Sequence, residues 1–502
     1  MNLAPPPVST SNRRWITLIV VCLAQLMIVL DVTIVNVALP AIQRDLHFTQ
    51  GNLTWVVNAF LITFGSLLLL SGRLGDLAGR KRVFLTGIVI FTAASAICGL
   101  APTQGVLIGA RFLQGIGAAA QASVILAIIV TEFPEPAERA RAMSAYVFVS
   151  VAGGSLGLLA GGVLTETLSW HWVFFVNLPI GLAALVLGRL LIPADKGLGL
   201  RHGVDWIGSL LVTASLMSAI YAIVQATAHG WLSAQVLGFG GVAVFLMVAF
   251  LALEARIKNP IMPLRVLRLR GLINASLIRG VLVTGMYSTF FLITLYLEHV
   301  RHYSAIQTGA AFLPWTLTVA VLSQGITAWL VGRFGPLRVV VSGMACAVVG
   351  LLVFRTIGPD TAFFPTIFFA SLALGFGIGI AFMPLLTIAM ADVPPADAGL
   401  GSGITNVSQQ IGGAFGLAVL STIATNHTRA LLAAHRGVTS SLIGGYHLAF
   451  VIGAATIATG IVLSLRLLRP RAAQGELRLA GGPPTDHGTP ILTDHDMERE
   501  AA

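Results

Sequence analysis

Fourteen apolar runs of bilayer-spanning length leave this chain few ways to fold. They fall near residues 15–39, 52–72, 83–100, 104–130, 142–164, 170–192, 206–227, 232–253, 271–297, 306–331, 337–356, 362–390, 401–424 and 445–467. About 20 apolar residues cross the hydrocarbon core as a helix, and a helix satisfies its own backbone polar groups in lipid. The expected fold class is all-α integral membrane, with 14 transmembrane helices. Only 10% of the 502 residues are charged, against about 25% in soluble domains, which excludes a soluble fold.

The formal net charge of +10 would suit a nucleic-acid binder, but the placement of the basic residues points elsewhere. With the N-terminus in the cytoplasm, 23 Lys and Arg fall in cytoplasmic segments and 5 in outer ones, with Arg111 and Arg279 inside spans. That bias is the positive-inside pattern. It puts both termini in the cytoplasm and makes the lipid bilayer, not nucleic acid, the partner. Cys22, Cys98 and Cys346 all lie in apolar runs, so neither a disulfide framework nor a metal site is expected. No small-residue cleavage site follows the first run, which is read as a retained span. Past Arg471 the chain turns polar, with Gly-Gly-Pro-Pro at 481–484, and reads as a disordered cytoplasmic tail in which His487 and His495 are solvated.

An internal repeat organises the spans. Gly72-Arg73-Leu74-Gly75-Asp76 returns as Gly332-Arg333-Phe334-Gly335-Pro336, an offset of 260. Gly115 and Gly117 return as Gly375 and Gly377, and Gly153, Gly154 and Gly157 as Gly412, Gly413 and Gly416. The expected division is a tail at 1–14, a six-helix half at 15–195, a two-helix insertion at 196–260, a second six-helix half at 261–468 and a tail at 469–502. Two repeats around a central site is transporter architecture. The repeat is chemically lopsided, because at offset 260 Asp31 maps to Phe291, Asp76 to Pro336 and Arg111 to Ser371.

Two charges stand deep in the first half. Asp31 is nine residues before Pro40 and Arg111 nine after Pro102, so each lies roughly 13 Å in from the same surface. Ionisable groups inside a membrane are costly and usually functional. An arginine beside a carboxylate favours its ionised form, and burial without water favours the neutral one. A site alternating between those settings would take up and release a proton; the other reading is a static ion pair. Asn36, Asn58, Gln114, Gln121, Asn406, Gln409 and Gln410 are polar positions within spans, read either as lining a substrate cavity or as bonding across helices. Gly153, Gly157, Gly161 and Gly162 form a small-residue face suited to close, flexing contact between the halves. Arg279 is expected to snorkel, Glu298 to be solvated, and Trp55, Trp170, Trp172, Trp206 and Trp231 to sit at the interfaces. No nucleotide-binding loop, His/Cys cluster or nucleophile motif lies in a span, so no cofactor and no enzymatic activity is expected.

At these residues the chain resembles the major facilitator superfamily, and more closely its fourteen-helix drug:proton antiporters of the DHA2 type, the EmrB/QacA group, over about residues 15–467. Asp31-Val-Thr-Ile-Val-Asn-Val-Ala-Leu-Pro40 matches that group's helix-1 motif, Gly72 to Arg82 the loop 2–3 motif, and Arg111-Phe-Leu-Gln-Gly115-Ile-Gly117 the helix-4 motif. The resemblance implies that Asp31 is a proton or substrate carboxylate, that Arg111 serves proton coupling, and that Gly72, Gly75, Asp76, Gly79 and Arg80 form a conformational latch. Two positions depart: Leu158 stands where the helix-5 antiporter motif has proline, and Glu298 where relatives commonly carry Gln.

The expected activity is export of lipophilic compounds across a bacterial cytoplasmic membrane in exchange for protons, about one per cycle. Substrate and proton would compete in a cavity between the halves. An exporter of an endogenous metabolite, antibiotic or lipid fits the residues equally, and a polytopic lipid-processing enzyme fits poorly because no polar catalytic cluster is present. Substrate identity and the need for an adaptor protein are left open.

Overall fold

The structure, a computed structural model, describes residues 10–468 apart from 196, 198, 200–204, 258, 259 and 261; the tail expected at 469–502 lies outside the described residues. Fourteen described helices are long and apolar enough to cross a membrane. They are α1 (Arg13–Asp45), α2 (Trp55–Ala78), α3 (Arg80–Gly99), α4 (Gln104–Glu132), α5 (Pro136–Thr167), α6 (Trp172–Leu191), α7 (Ile207–Ala226), α8 (Ala234–Glu254), α9 (Arg270–His299), α10 (Leu313–Phe334), α11 (Pro336–Phe354), α12 (Phe363–Ala391), α13 (Pro395–Ala433) and α14 (Val438–Leu467). No strand occurs among the described residues.

Local chemistry sets several ends. Thr103 and Ser233 accept from the backbone N–H groups of Val106 and Val236, capping α4 and α8. Gly79, at φ +102°, separates α2 from α3 in a conformation that a side chain would strain. With leucine at 158 where the antiporter motif has proline, α5 runs unbroken.

Helices α1–α6 and α9–α14 pack in like patterns, α1 on α5, α3 on α4 and α2 on α4, matched by α9 on α13, α11 on α12 and α10 on α12. Glycine contacts show the correspondence in detail. Gly117 lies against Gly87 O and the Phe91 backbone, and Gly377 against Gly343 O and the Ala347 backbone. Gly157 lies against Leu30 O and Thr33, and Gly416 against Thr284. The last pair corrects the sequence register. Gly157 and Gly416 are 259 apart, but Thr33 and Thr284 are 251 apart, so the counterpart of Asp31 is the buried Leu282 and not Phe291. The second half carries about nine more residues between its first two helices, among them a short helix at Ala305–Ala311 opened by a Ser304/Gln307 capping box.

The halves meet through α2 against α13 and α5 against α10. The hairpin α7–α8 lies beside α2 and α13, with Trp55 near Tyr221 (ring centroids 6.1 Å) and Trp231 near Phe415 (5.6 Å). Its α8 turns Val244, Phe245 and Val248 outward, Phe245 being 71% exposed, as a lipid-facing helix does.

Two expectations are corrected here. The glycine face of α5 meets α1 of its own half, Gly153 on Val29, Gly157 on Thr33 and Gly161 on Ile34, rather than the second half. The contact of α5 with the second half is made by other side chains, Ser155 to Thr316 of α10 (Oγ to Oγ1, 2.5 Å) and Leu159 against Gly309 of the short helix before it. Trp170 is buried, not interfacial, because its Nε1 donates to Asp45 Oδ2 at 2.8 Å.

Candidate functional site

Asp31, 0% exposed in the middle of α1, is met by donors from α4 and α6. Arg111 Nη1 donates to its Oδ2 at 2.5 Å. Gln114 Nε2 donates to Oδ1 at 2.7 Å, and Asn177 Nδ2 at the start of α6 donates to the same oxygen at 3.2 Å. Arg111 and Gln114, three residues apart, share one face of α4. The guanidinium, in a residue 1% exposed, also donates through Nε to Val56 O (2.8 Å) and through Nη1 to Gln114 Oε1 (2.7 Å). It lies 4.5 Å from the centre of the Phe60 ring. Gln114 is held further by Ser95 Oγ, which accepts at 2.8 Å, and by Cys98 Sγ, which donates at 3.7 Å.

A buried ion pair recovers its desolvation cost only when its remaining donors and acceptors are paired. Here Oδ1 accepts two bonds and Oδ2 an ionic one. All the partners belong to α1–α4 and α6, so in this conformation the carboxylate is enclosed within the first half and does not border a cavity between the halves, contrary to expectation.

The five substrate-cavity candidates scatter. Gln114 belongs to the Asp31 network and lines no cavity, since its amide is consumed on both sides. Asn36 is exposed and donates to Val32 O of its own helix at 2.9 Å. Asn58 is half-buried. Asn406 Nδ2 donates to Ala122 O of α4 at 3.1 Å, a bond from one half to the other. Gln409 accepts from Arg279 Nη2.

Arg279 departs furthest from its sequence reading. It does not snorkel but is 1% exposed, with Nη1 donating to Thr405 O at 3.3 Å and its guanidinium 4.5 Å from the Phe382 ring centre. Its direction, toward α12 and α13, could not be read from its depth.

At the end of the bundle that carries the basic residues, the halves are joined by a second cluster. Asp76 accepts from the backbone N–H groups of Gly399 (Oδ1, 2.8 Å) and Leu400 (Oδ2, 3.0 Å), in the first α-helical turn of α13, which starts at Ala398 after the 3-10 turn Pro395–Asp397. A helix N-terminus favours such a carboxylate. Arg80 pairs with Asp76 at 3.2 Å and donates to Thr131 Oγ1 at 2.7 Å and to Pro395 O. Gly72 permits this approach, because a Cβ there would fall on Gly399 O, and a Cβ on Gly399 would meet Gly72 O and the Asp76 carboxyl. Gly75 sits under Val124 and Gly79 against Asp195, whose Oδ2 accepts from Arg80 N at 2.6 Å.

Sequence reasoning missed Asp397. It is 1% exposed and pairs with Arg265 at 2.9 Å and, across the halves, with Arg73 at 3.5 Å. A signal was present: Pro136-Ala137-Glu138 returns as Pro395-Ala396-Asp397, and Arg14 pairs with Glu138 at 3.3 Å as Arg265 does with Asp397. Asn177 was missed because it lies in an apolar run without a second polar residue to set its face.

Two apolar grooves, about 550 and 630 Å³, run along the outer side of α10–α12 beside Leu317, Phe369 and Phe376. Those side chains are exposed, as lipid-facing ones are, and neither groove touches Asp31.

Known proteins resemble this chain closely. The family model of the Major Facilitator Superfamily matches residues 21–417. The puromycin resistance protein pur8 of Streptomyces alboniger is 40% identical, covering 91% of this chain and 90% of that protein. The cephamycin export protein CmcT of Amycolatopsis lactamdurans is 36% identical (86% and 89%), and the multidrug resistance protein Stp of Mycobacterium tuberculosis 34% (85% and 78%). Among solved structures, the human organic anion transporter MFSD10 superposes with a TM-score of 0.65 at 14% identity, covering 92% of this chain and all of that one. The fold is therefore shared even where sequence is not. The chain belongs to the Major Facilitator Superfamily, and the relatives it resembles there are antibiotic and multidrug resistance and export proteins.

Proposed function

We propose that this membrane transporter, which by its superfamily is not an enzyme, exports lipophilic small molecules, antibiotics among them, from the cytoplasm in exchange for protons, and that Asp31 carries the proton. One observation supports this most: a carboxylate, wholly buried in the middle of α1, is held by an arginine and two amides in one half of the molecule. Protonation cancels its charge, weakens its hold on Arg111 and changes the packing of α1 on α4. The bacterial cytoplasmic membrane is the proposed location, with the basic end and both termini inside. The cluster of Asp76, Arg80, Arg73 and Asp397 then joins the two halves on the cytoplasmic side.

One charge crossing the membrane potential is worth about 2.3 kcal/mol per 100 mV. Exchange of one proton for a neutral drug is electrogenic; exchange for a monovalent cation is driven by the pH gradient alone. The test is drug-induced proton release from purified protein and pH-driven efflux in proteoliposomes. Asp31→Asn is expected to insert normally and to lose both. Retained wild-type efflux in Asp31→Asn would reject the reading.

A second reading is export of an antibiotic made by the same cell. The names of the cephamycin export protein and of the tetracenomycin C resistance and export protein of Streptomyces glaucescens, 30% identical, favour it. Metabolite profiling of a deletion strain beside a resistance panel separates the two.

A further inference from the structure

We propose that Asn177 is a two-way amide that follows the proton on Asp31, donating to the carboxylate and turning over to accept from the acid. The proposal rests on the reading of Asp31 as the proton carrier. Its basis is the contrast between the two amides that meet Asp31 Oδ1.

Gln114 is fixed at both ends. Its Oε1 accepts from Arg111 Nη1 at 2.7 Å, and its Nε2 donates to both Asp31 Oδ1 and Ser95 Oγ. Turning it over would set Oε1 against the carboxylate and Nε2 against the guanidinium. Asn177 has no such anchor. It is 0% exposed, its Nδ2 makes the 3.2 Å contact with Asp31, and its Oδ1 is buried and accepts no hydrogen bond among the described residues. Nothing on the far side of the amide selects between its two orientations. Asp31 selects, because an amide oxygen is repelled by a carboxylate and an amide N–H cannot accept from a carboxylic O–H.

The exchange follows. A proton arrives on Asp31 Oδ1, and the Asn177 amide rotates by half a turn about its terminal side-chain bond. Its oxygen now accepts the new O–H, and its nitrogen takes the oxygen's former place. Gln114 Nε2 stays on Oδ1 and Arg111 on Oδ2. Loss of the proton reverses the rotation. Terminal amide torsions are broad and roughly two-fold, so the turn itself meets little torsional resistance. Asn177 thereby pairs with either form of Asp31, whereas a fixed donor would hold the site ionised. The titratable and charged groups facing Asp31 are Arg111 from α4 and Cys98 from α3; α2 presents Phe60 and the Val56 carbonyl, α6 presents Phe174 beside Asn177, and α5 meets α1 through glycines.

The test is a pH-difference infrared spectrum of the full-length protein in lipid vesicles. A carboxylic-acid band that disappears in Asp31→Asn is expected, accompanied by a side-chain amide band that disappears in Asn177→Leu. Leucine removes a charge-assisted bond to the ionised form and only a neutral one to the acid, so the midpoint of the Asp31 band should move to higher pH by about one unit. An Asp31 band without an amide change in the wild type would make Asn177 a static donor and overturn the proposal. Absence of the Asp31 band would instead remove the proton reading beneath it. The wild-type spectrum decides between these outcomes even where Asn177→Leu fails to fold.

Discussion

Substituting Gly72→Ala should open the basic end of the transporter without touching the buried Asp31 network. At the α2–α13 crossing the Cβ of an alanine falls on Gly399 O. That oxygen is backbone, so no rotamer change relieves the clash. Restoring ordinary contact, ~3.5 Å between heavy atoms, requires about 1 Å of separation between the helices. The Asp76 carboxylate binds Gly399 N and Leu400 N at 2.8 and 3.0 Å, and neither bond survives such a displacement. Losing even one hydrogen bond to a charged group costs about 1.5–3 kcal/mol. The ratio of closed to open molecules at that end should therefore fall by at least roughly 10- to 150-fold, at 1.4 kcal/mol per factor of ten. Spin labels at the exposed positions Glu135→Cys and Arg268→Cys, with the half-buried Cys22 and Cys346 changed to serine, report the separation of the halves by pulsed electron resonance. A longer distance population should dominate in Gly72→Ala. Gly332→Ala is the control, since the same motif position in the second half has open space around it. An unchanged distance distribution in Gly72→Ala, or equal shifts in both variants, would refute the reasoning.

Three further outcomes follow. Asp397→Asn leaves Arg73 and Arg265 facing a neutral group, and should lengthen the same label distance and cost about 1–3 kcal/mol of the closed state; a distribution like the wild type's would count against a role for Asp397 in the closure. Gln121, 0% exposed, has both amide atoms buried without a hydrogen-bond partner among the described residues, so Gln121→Leu should raise the thermal midpoint in detergent, removing about 1–3 kcal/mol of desolvation cost; a lower midpoint would contradict it. Arg279→Lys should lower thermal stability by about 2 kcal/mol, because an ammonium cannot bond Thr405 O and Gln409 together while stacking on Phe382; an unchanged midpoint would return Arg279 to the snorkelling reading.

The sequence by itself determined the solvent of this chain, the number of its spans, the existence of a repeat and the matched depth of Asp31 and Arg111. Those properties are local. Each helix satisfies its own backbone in lipid, and residue spacing along one helix converts directly to depth. Only the tertiary structure decided which faces meet. Gly72 and Gly332 stand in the same motif, yet one lies on a carbonyl of the other half and the other on nothing. The glycines of α5 serve α1 rather than the partner half, Arg279 turns inward, Asp397 joins the closure, and Asn177 completes the site around Asp31. Lipid is as apolar as the side chains it bathes, so helix association depends on shape fit and on the pairing of scattered polar groups. Both are properties of two surfaces brought together, and no single stretch of sequence contains them.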